Sequence, residues 1–330
     1  MSPQNVRYTG RDAARWLCQL AITVCMSGQG IAQAGTLLVF GDSLSDTGRV
    51  WATSQTTLGQ ELPPSGQGLY WQGRFSNGPV AVEVMADALG LTLNSQAWGG
   101  ALTGRSNLLG ADGDLGRSGM LDQVDQWLAQ SPTLGADTLV VLWGGLNDLV
   151  LSPQSSTVSQ ALHHLNDAAT TLIAAGARQL ILPSSPNLAS TPLVQAMGPA
   201  AAGRYQSAMD EFNTGLGNLV TQLSAAHPEV HVFGFDSAQV LAQAAIQAQW
   251  DTSQACIEGG FWGVESVCSQ PDTHLFWDGT HPSAAAHRQL GLAMAQAIPE
   301  PDTWLLMGLG LAAGTVLRAA QSRRASKAPA

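Results

Sequence analysis

Five short apolar runs, at residues 36–40, 91–98, 138–143, 179–182 and 230–235, are spaced along this chain with helical patterns between them. The first reads Thr-Leu-Leu-Val-Phe and the third Thr-Leu-Val-Val-Leu-Trp, with no alternation of polar residues to face water. Strands of that kind are covered on both faces, which calls for a parallel sheet with helical crossovers. Helical patterns at 79–89, 120–130, 157–175, 200–226, 237–247 and 283–297 supply the crossovers and the cover. Right-handed connections then give an α/β protein, a three-layer α/β/α sandwich around a five-stranded parallel sheet. No Pro/Ser linker and no internal repeat interrupts this stretch, which reads as one domain.

Both ends of the 330 residues have a different character. Arg7, Arg11 and Arg15 precede an apolar stretch at 16–26, and Ala32-Gln33-Ala34 offers a small-x-small cleavage site, the pattern of a secretory signal peptide over 1–34. At the other end Pro299-Glu300-Pro301 leads into a mostly apolar run at 304–317, followed by Arg318, Arg323, Arg324 and Lys327. That run is short of the roughly 20 residues that span a bilayer. Positive charge after it places the tail on the cytoplasmic side and the preceding domain outside. The expected division is a signal peptide at 1–34, a domain at 35–298 and a membrane-directed tail at 299–330.

Within 35–298, seven Lys and Arg face 21 Asp and Glu, a formal charge of −14. A field of that sign repels nucleic acid and anionic membranes, so neither is expected as a partner. Cys256 and Cys268 are the cysteines left in the domain. Twelve residues apart in a glycine-rich loop of an exported chain, they are expected to form a disulfide. None of the seven histidines has metal-ligand spacing with them, and neither a metal nor an organic cofactor is expected.

Three places stand out at the carboxyl ends of the first three strands: Ser43, the Gly99-Gly100 pair and Asn147. Parallel strands bring these ends to one edge, where open α/β sheets bind their ligands. Acyl transfer needs a nucleophile, a base and donors for a developing oxyanion, and glycine amides and an Asn side chain are suitable donors. For the base, His281 has Asp278 three residues before it in Trp277-Asp-Gly-Thr-His-Pro282, and a tight turn at Gly279 lets the carboxylate hold the imidazole. Each piece has a plain reading beside the chemical one, since Gly-Asp-Ser and Gly-Gly-x-Asn-Asp also make turns and Asp-x-x-His also caps helices. Asp42 and Asp148 are read as carboxylates that fix loops through backbone amides. His287 is read as solvent-facing or structural. Residues 49–78 read as an irregular rim loop, and Trp51, Tyr70, Trp71, Trp98, Trp143 and Trp277 fall in or beside such loops, suited to stacking on sugars, lining an acyl groove or packing.

Taken together the residues resemble the SGNH, or GDSL, serine hydrolases, in particular the bacterial lecithinase/hemolysin group. Phe40-Gly-Asp-Ser-Leu-Ser-Asp-Thr-Gly48 is similar to the first family block, Gly99-Gly100-Ala101 to the second, Gly144-Gly145-Leu-Asn-Asp148 to the third and Asp278-Gly-Thr-His281 to the last. Gly73-Arg-Phe-Ser-Asn-Gly-Pro79 adds to the likeness, which runs from about Thr36 to Ile298. The resemblance implies the flavodoxin-like SGNH hydrolase fold, Ser43 as nucleophile, His281 as general base and acid, and Asp278 as its orienting carboxylate. It implies oxyanion donors at the Ser43 amide, the Gly100 amide and the Asn147 side chain, with Gly99 as the alternative to Gly100. Two departures touch the acyl pocket: Arg49 stands where relatives have Asn, and Asn94-Ser-Gln-Ala-Trp98 replaces an Asn-Tyr-Ala lead-in.

The C-terminal tail resembles the PEP-CTERM sorting signal, which implies processing by an exosortase-type enzyme and a place in the envelope, on the surface or in the extracellular matrix of a Gram-negative bacterium. A plain membrane anchor is the other reading of the tail, and either gives transient or anchoring membrane contact through this segment. The expected function is hydrolysis of carboxylic esters, the substrate being a lipid, a small ester or an acylated glycan. The alternatives are a deacetylase of extracellular polysaccharide and a non-catalytic surface or matrix-binding protein.

Overall fold

The most apolar runs lie side by side at the centre of the sheet. In the computed structural model, β1 (Thr36–Gly41) pairs in parallel with β3 (Thr138–Trp143), from Thr36 opposite Thr138 to Gly41 opposite Trp143. With β2 (Thr92–Ser95), β4 (Gln179–Pro183) and β5 (His231–Phe235) they form one all-parallel sheet in the order β2-β1-β3-β4-β5. Every residue of β3 is buried, and so is all of β1 after Thr36. The edge strands β2 and β5 are mostly half-buried or exposed. The fold class is therefore α/β, as the run pattern requires.

The structure describes residues 35–65, 69–110, 113–130, 134–135, 137–259 and 264–298. The proposed signal peptide at 1–34 and the tail at 299–330 lie outside the described residues. From Thr36 onward these residues belong to one compact unit. Among the described residues no helix is long and apolar enough to cross a membrane.

The main helices are α1 (Arg49–Thr57), α2 (Ala81–Leu89), α3 (Met120–Gln130), α4 (Leu146–Leu151), α5 (Ser155–Ala174), α6 (Pro199–Ala226), α7 (Ser237–Ala248) and α8 (Ala284–Ala297). They pack as two sets: α8 touches α2 and α7, while α5 touches α3 and α6. That grouping follows from the strand order. Stepping from β1 back to β2 with a right-handed crossover puts α2 on one face, and the steps from β2 through β5 put α3, α5 and α6 on the other.

Residues 49–78 are not the irregular loop expected. Helix α1 opens directly after Gly48, whose φ of 104° turns the chain, because the Asp46 carboxylate accepts from the Gly48, Arg49 and Val50 amides at 2.8, 2.6 and 3.2 Å. The capping acid sits three residues ahead of the helix and its apolar content is low, so periodicity does not reveal it. Likewise α4 starts directly after Gly145, in a stretch that reads as a turn. The cysteine loop also holds more order than its composition indicates. There β6 (Asp251–Ala255) runs parallel to β9 (His274–Phe276), and β7 (Ile257–Glu258) pairs antiparallel with β8 (Ser266–Val267).

Gly145, the residue before α4, shows how tightly the third strand end is held. Its φ is 110°, and a Cβ there would lie 2.3 Å from the Phe212 ring, which is fully buried in α6 and cannot swing away. Overpacking and left-handed strain together cost roughly 2–4 kcal/mol. Gly145→Ala is expected to lower the thermal midpoint by about 5 °C or more, measured by circular dichroism melting.

Candidate active site

Strand order reverses at β1, so the crevice beyond its carboxyl end is the topological switch point of the sheet. Ser43 stands two residues past that end and is buried. Its turn is held from two sides. Gln123 of α3 accepts from the Gly41 amide at 3.0 Å and donates to the Gly41 carbonyl at 2.8 Å. Asp42 Oδ1 accepts from the Leu44 amide at 3.0 Å. Gly41 lets β3 run alongside, since a Cβ there would meet the Trp143 carbonyl oxygen at 2.5 Å.

From the far end of the chain, the loop after β9 delivers the imidazole. His281 Nε2 lies 2.9 Å from Ser43 Oγ, and His281 Nδ1 lies 2.8 Å from Asp278 Oδ2 and 3.0 Å from Oδ1. An ionised carboxylate only accepts, so Nδ1 carries the proton and a neutral ring leaves Nε2 to accept from the serine hydroxyl. Phe75 packs beside this ring, with centroids 5.1 Å apart.

The Asp278 carboxylate accepts from four donors. Besides the imidazole it accepts from the Thr280 and His281 amides at 2.8 and 2.7 Å and from Tyr70 Oη at 2.7 Å. Burial pushes its carboxyl up, but the His281 charge and the hydrogen bonds from His281 and Thr280 outweigh burial and hold it below its ordinary value. The phenol moves the other way. Burial first, then the neighbouring Asp278 charge, raises Tyr70 far above the usual phenol range, so it remains a donor. Sequence reasoning gave Tyr70 only a place among aromatics at the rim. Its partner is 208 residues away, and no local signal marks the pairing.

The other expected site residues come together beside the first strand end. Asp46 Oδ2 accepts from the Gly99 amide at 2.7 Å, whereas no described residue accepts from the Gly100 or Ser43 amide. Gly100 has a φ of 75°, and a Cβ on it would strike Asn107 Oδ1 at 2.6 Å. Asn107 in turn donates to the Gly99 carbonyl at 2.8 Å. Asn147, in the first turn of α4, donates to the Ala101 carbonyl at 3.0 Å, leaving one further N–H on its amide nitrogen. Asp148 accepts from the Thr103 amide and hydroxyl at 2.9 and 2.7 Å, locking α4 to the glycine loop. Asp42, Asp46 and Asp148 all act on loop backbone. Asn107, Gln123 and Asp46 are supports that sequence reasoning missed, because their partners are set by loop packing.

Two features singled out as departures prove to be partners. Arg49 Nη2 donates to Gln96 Oε1 at 2.8 Å and to the Ser95 carbonyl at 3.2 Å, and its guanidinium lies 5.7 Å from the Trp98 ring centroid. The unusual residue at 49 and the unusual lead-in at 94–98 thus complete each other and tie α1 to the end of β2. Of the flagged aromatics, Trp98, Trp143 and Trp277 are buried and serve packing, Tyr70 is buried with its hydroxyl on Asp278, and Trp51 and Trp71 are half-buried. Cys256 and Cys268 are bonded, with an S–S distance of 1.98 Å. His287 is fully buried and structural: its Nδ1 accepts from the Ala81 amide at 3.2 Å, and burial pulls it down to about 3.

A hydrogen-bonded serine, histidine and aspartate at the switch point of a doubly covered parallel sheet is an arrangement suited to the chemistry of serine hydrolases. The family follows from the sequence comparison. Residues 37–294 match the family model described as GDSL-like Lipase/Acylhydrolase, and the chain belongs to that family, as its four blocks imply. Residues 297–324 match the PEP-CTERM protein-sorting motif, a mark of export and surface sorting in Gram-negative bacteria. The chain is 31% identical over 231 residues to phosphatidylcholine-sterol acyltransferase of Aeromonas hydrophila, covering 68% of this chain and 66% of that protein. It is 25% identical over 287 residues to thermolabile hemolysin of Vibrio parahaemolyticus, covering 80% and 64%. The chain thus spans just under two thirds of the length of these two relatives. Among solved structures, a lipolytic G-D-S-L family member from Veillonella parvula aligns at 14% identity with a TM-score of 0.45, covering 80% of this chain and 97% of that one.

Asp42 carries a pH signature that the site geometry generates. It is buried, its Oδ2 has no hydrogen-bond partner among the described residues, and burial raises its carboxyl to about 7. The native state then keeps this proton between the ordinary value of 3.8 and about 7 while the unfolded chain releases it, so this group makes stability fall as pH rises across that window. Asp42→Asn keeps the acceptor for Leu44 and removes the titration. The variant is expected to gain on the order of 2–4 kcal/mol over the parent at pH 8 and nothing below pH ~4, in paired denaturant titrations.

Proposed function

We propose that this chain is an exported hydrolase of carboxylic esters in which Ser43, His281 and Asp278 form the catalytic set. The observation that carries the reading is the unbroken hydrogen-bond chain from Ser43 Oγ through the imidazole to the buried Asp278 carboxylate. In this reading His281 Nε2 takes the hydroxyl proton as Ser43 Oγ attacks the ester carbonyl, and Asp278 stabilises the imidazolium that forms. The tetrahedral oxyanion receives hydrogen bonds from the Ser43 amide, the Gly100 amide and the Asn147 side chain. Gly100 is preferred to Gly99 because the Gly99 amide is already spent on Asp46. His281 then protonates the leaving alcohol, giving an acyl-enzyme, and on the return half it deprotonates the water that releases the acid.

Two relatives named as a phosphatidylcholine-sterol acyltransferase and a hemolysin support acyl-ester chemistry at this site. The proposed division of the chain is a signal peptide at 1–34, the hydrolase domain at 35–298 and the sorting segment at 299–330. An exosortase-type enzyme is the proposed processing partner, in keeping with the motif at 297–324.

A fluorophosphonate probe followed by peptide mapping tests the assignment directly. The expected adduct is on Ser43 alone, and modification of any other serine overturns it. Ser43→Ala is expected to lose at least 1,000-fold in turnover of p-nitrophenyl esters. Tyr70 acts here as a positioning residue that keeps the Asp278 carboxylate ionised and in place. A hydrogen bond to a charged group contributes about 1.5–3 kcal/mol, so Tyr70→Phe is expected to lower kcat roughly 10- to 100-fold. KM should hold within about twofold, since the phenol is buried against Asp278. A shift in KM with kcat preserved would assign Tyr70 to binding instead.

A further inference from the structure

We propose that His164 of α5 is a positioning residue for Asn147, acting through Thr103 and Asp148 to hold α4 against the glycine loop; this rests on the ester-hydrolase reading above. Two of the proposed oxyanion donors, the Gly100 amide and the Asn147 side chain, belong to separate elements. Their spacing is therefore set by whatever ties the loop after Gly100 to α4. Three hydrogen bonds do so: Asn147 donates to the Ala101 carbonyl at 3.0 Å, and the Thr103 amide and hydroxyl donate to Asp148 at 2.9 and 2.7 Å.

Helix α5 closes this chain from outside. His164 Nδ1 lies 3.2 Å from Thr103 Oγ1. A hydroxyl has one proton, and Thr103 gives it to the Asp148 carboxylate in the shorter bond, so Nδ1 carries a proton and donates to the hydroxyl oxygen. The hydroxyl is thereby held pointing at Asp148. Thr103 is fully buried, and the half-buried imidazole stands against the next residue, since a Cβ on Gly104 would come 2.9 Å from His164 Cε1. Glycine at 104 leaves the ring room to reach Thr103. Burial raises the Asp148 carboxyl, and the Thr103 hydroxyl, the Thr103 amide, its own amide and the nearby His164 all act against that rise. His164 thus supports the same carboxylate that Thr103 bonds.

The neighbouring residue is a built-in control. His163 faces solvent, with Asp167 of the same helix 3.5 Å from its Nε2. The two histidines share a helix and a chemistry, so a difference between their substitutions isolates the contact with Thr103. An oxyanion donor acts only where charge develops, and a small displacement of it is felt in kcat.

The test is hydrolysis of p-nitrophenyl esters by the full chain, with active sites counted by fluorophosphonate titration so that kcat refers to folded protein. His164→Leu is expected to lower kcat about 3- to 10-fold, the loss of one hydrogen bond, with KM held within about twofold. His164→Asn, whose side-chain amide donates from nearly the place of Nδ1, is expected to recover most of that loss, and His163→Leu to lose nothing. In a chain carrying Asn147→Ala, His164→Leu should cost less than about twofold, because the donor it positions is already gone. Equal losses with and without the Asn147 side chain, no recovery with Asn, or an unchanged kcat in His164→Leu overturns the proposal. Should His164→Leu fail to fold, Thr103→Val and Thr103→Ser make the comparison from the other partner: Val is expected to lose kcat and Ser to keep it, and equal kcat in the two overturns the proposal. Failure of the hydrolase reading looks different, since then the parent itself turns over no ester in a Ser43-dependent way. Crystal structures of the parent and His164→Leu decide the positioning in that case: an Asn147 amide displaced from the Ala101 carbonyl by about 0.5 Å or more supports it, and an unmoved one overturns it.

Discussion

One buried carboxylate holds the candidate site of this protein together. Asp278 has lost nearly all contact with water, and an ionised group in that position is stable only if donors replace its hydration. Four arrive: two backbone amides of its own turn, the imidazole of His281 and the phenol of Tyr70. The amides make the turn, the turn aims the ring at Ser43, and the phenol binds the loop to a segment two hundred residues earlier. Behind them Tyr70 and Trp277 meet edge to face in a small apolar cluster with Cys256 and Ile257. The disulfide-bonded loop, through its pairing of the Ile257 amide with the Trp277 carbonyl at 2.8 Å, is thus part of the backing of the site.

The same logic recurs with less charge at stake. Asp42, Asp46 and Asp148 are buried acids beyond the ends of β1 and β3, and burial raises all three. They lower the cost by accepting from loop amides, and in doing so they convert flexible glycine-rich connections into fixed geometry. Asp46 joins the start of α1 to Gly99, and Asp148 joins α4 to Thr103. A chain with so many acids and so few bases is therefore not only a surface phenomenon. Several of its carboxylates replace the missing regular hydrogen bonds of the loops.

Much of the fold was legible because its signals are local. The apolar runs of β1 and β3 have no polar face, which forces a two-sided cover, and the helix at Met120–Gln130 shows its apolar stripe openly. What escaped were elements whose stabilisation comes from elsewhere. Helix α1 depends on an acid outside its own span, and β6 and β9 are too short and polar to be seen until each has the other as partner. At the site, Ser43, Asp278, His281 and Asn147 lie in short blocks that read directly. Gln123, Asn107 and Tyr70 do not, because a Gln on a helix or a Tyr in a loop has the same local appearance whatever it bonds to. The proposed preference for Gly100 over Gly99 likewise rests on the position of Asp46.

The sequence by itself determined the sheet, the order of the blocks along its edge, the cystine pair and the sorting motif after the domain, since each is written in periodicity, spacing or composition. Only the tertiary structure decided which groups meet: a last loop brought 238 residues back to the first strand, a phenol placed on a carboxylate, and an imidazole of α5 set against the hydroxyl of Thr103. The reason is physical. Local pattern reports what a segment must bury or expose, whereas hydrogen bonds between distant side chains and the shape of the space they enclose exist only once packing has fixed every wall.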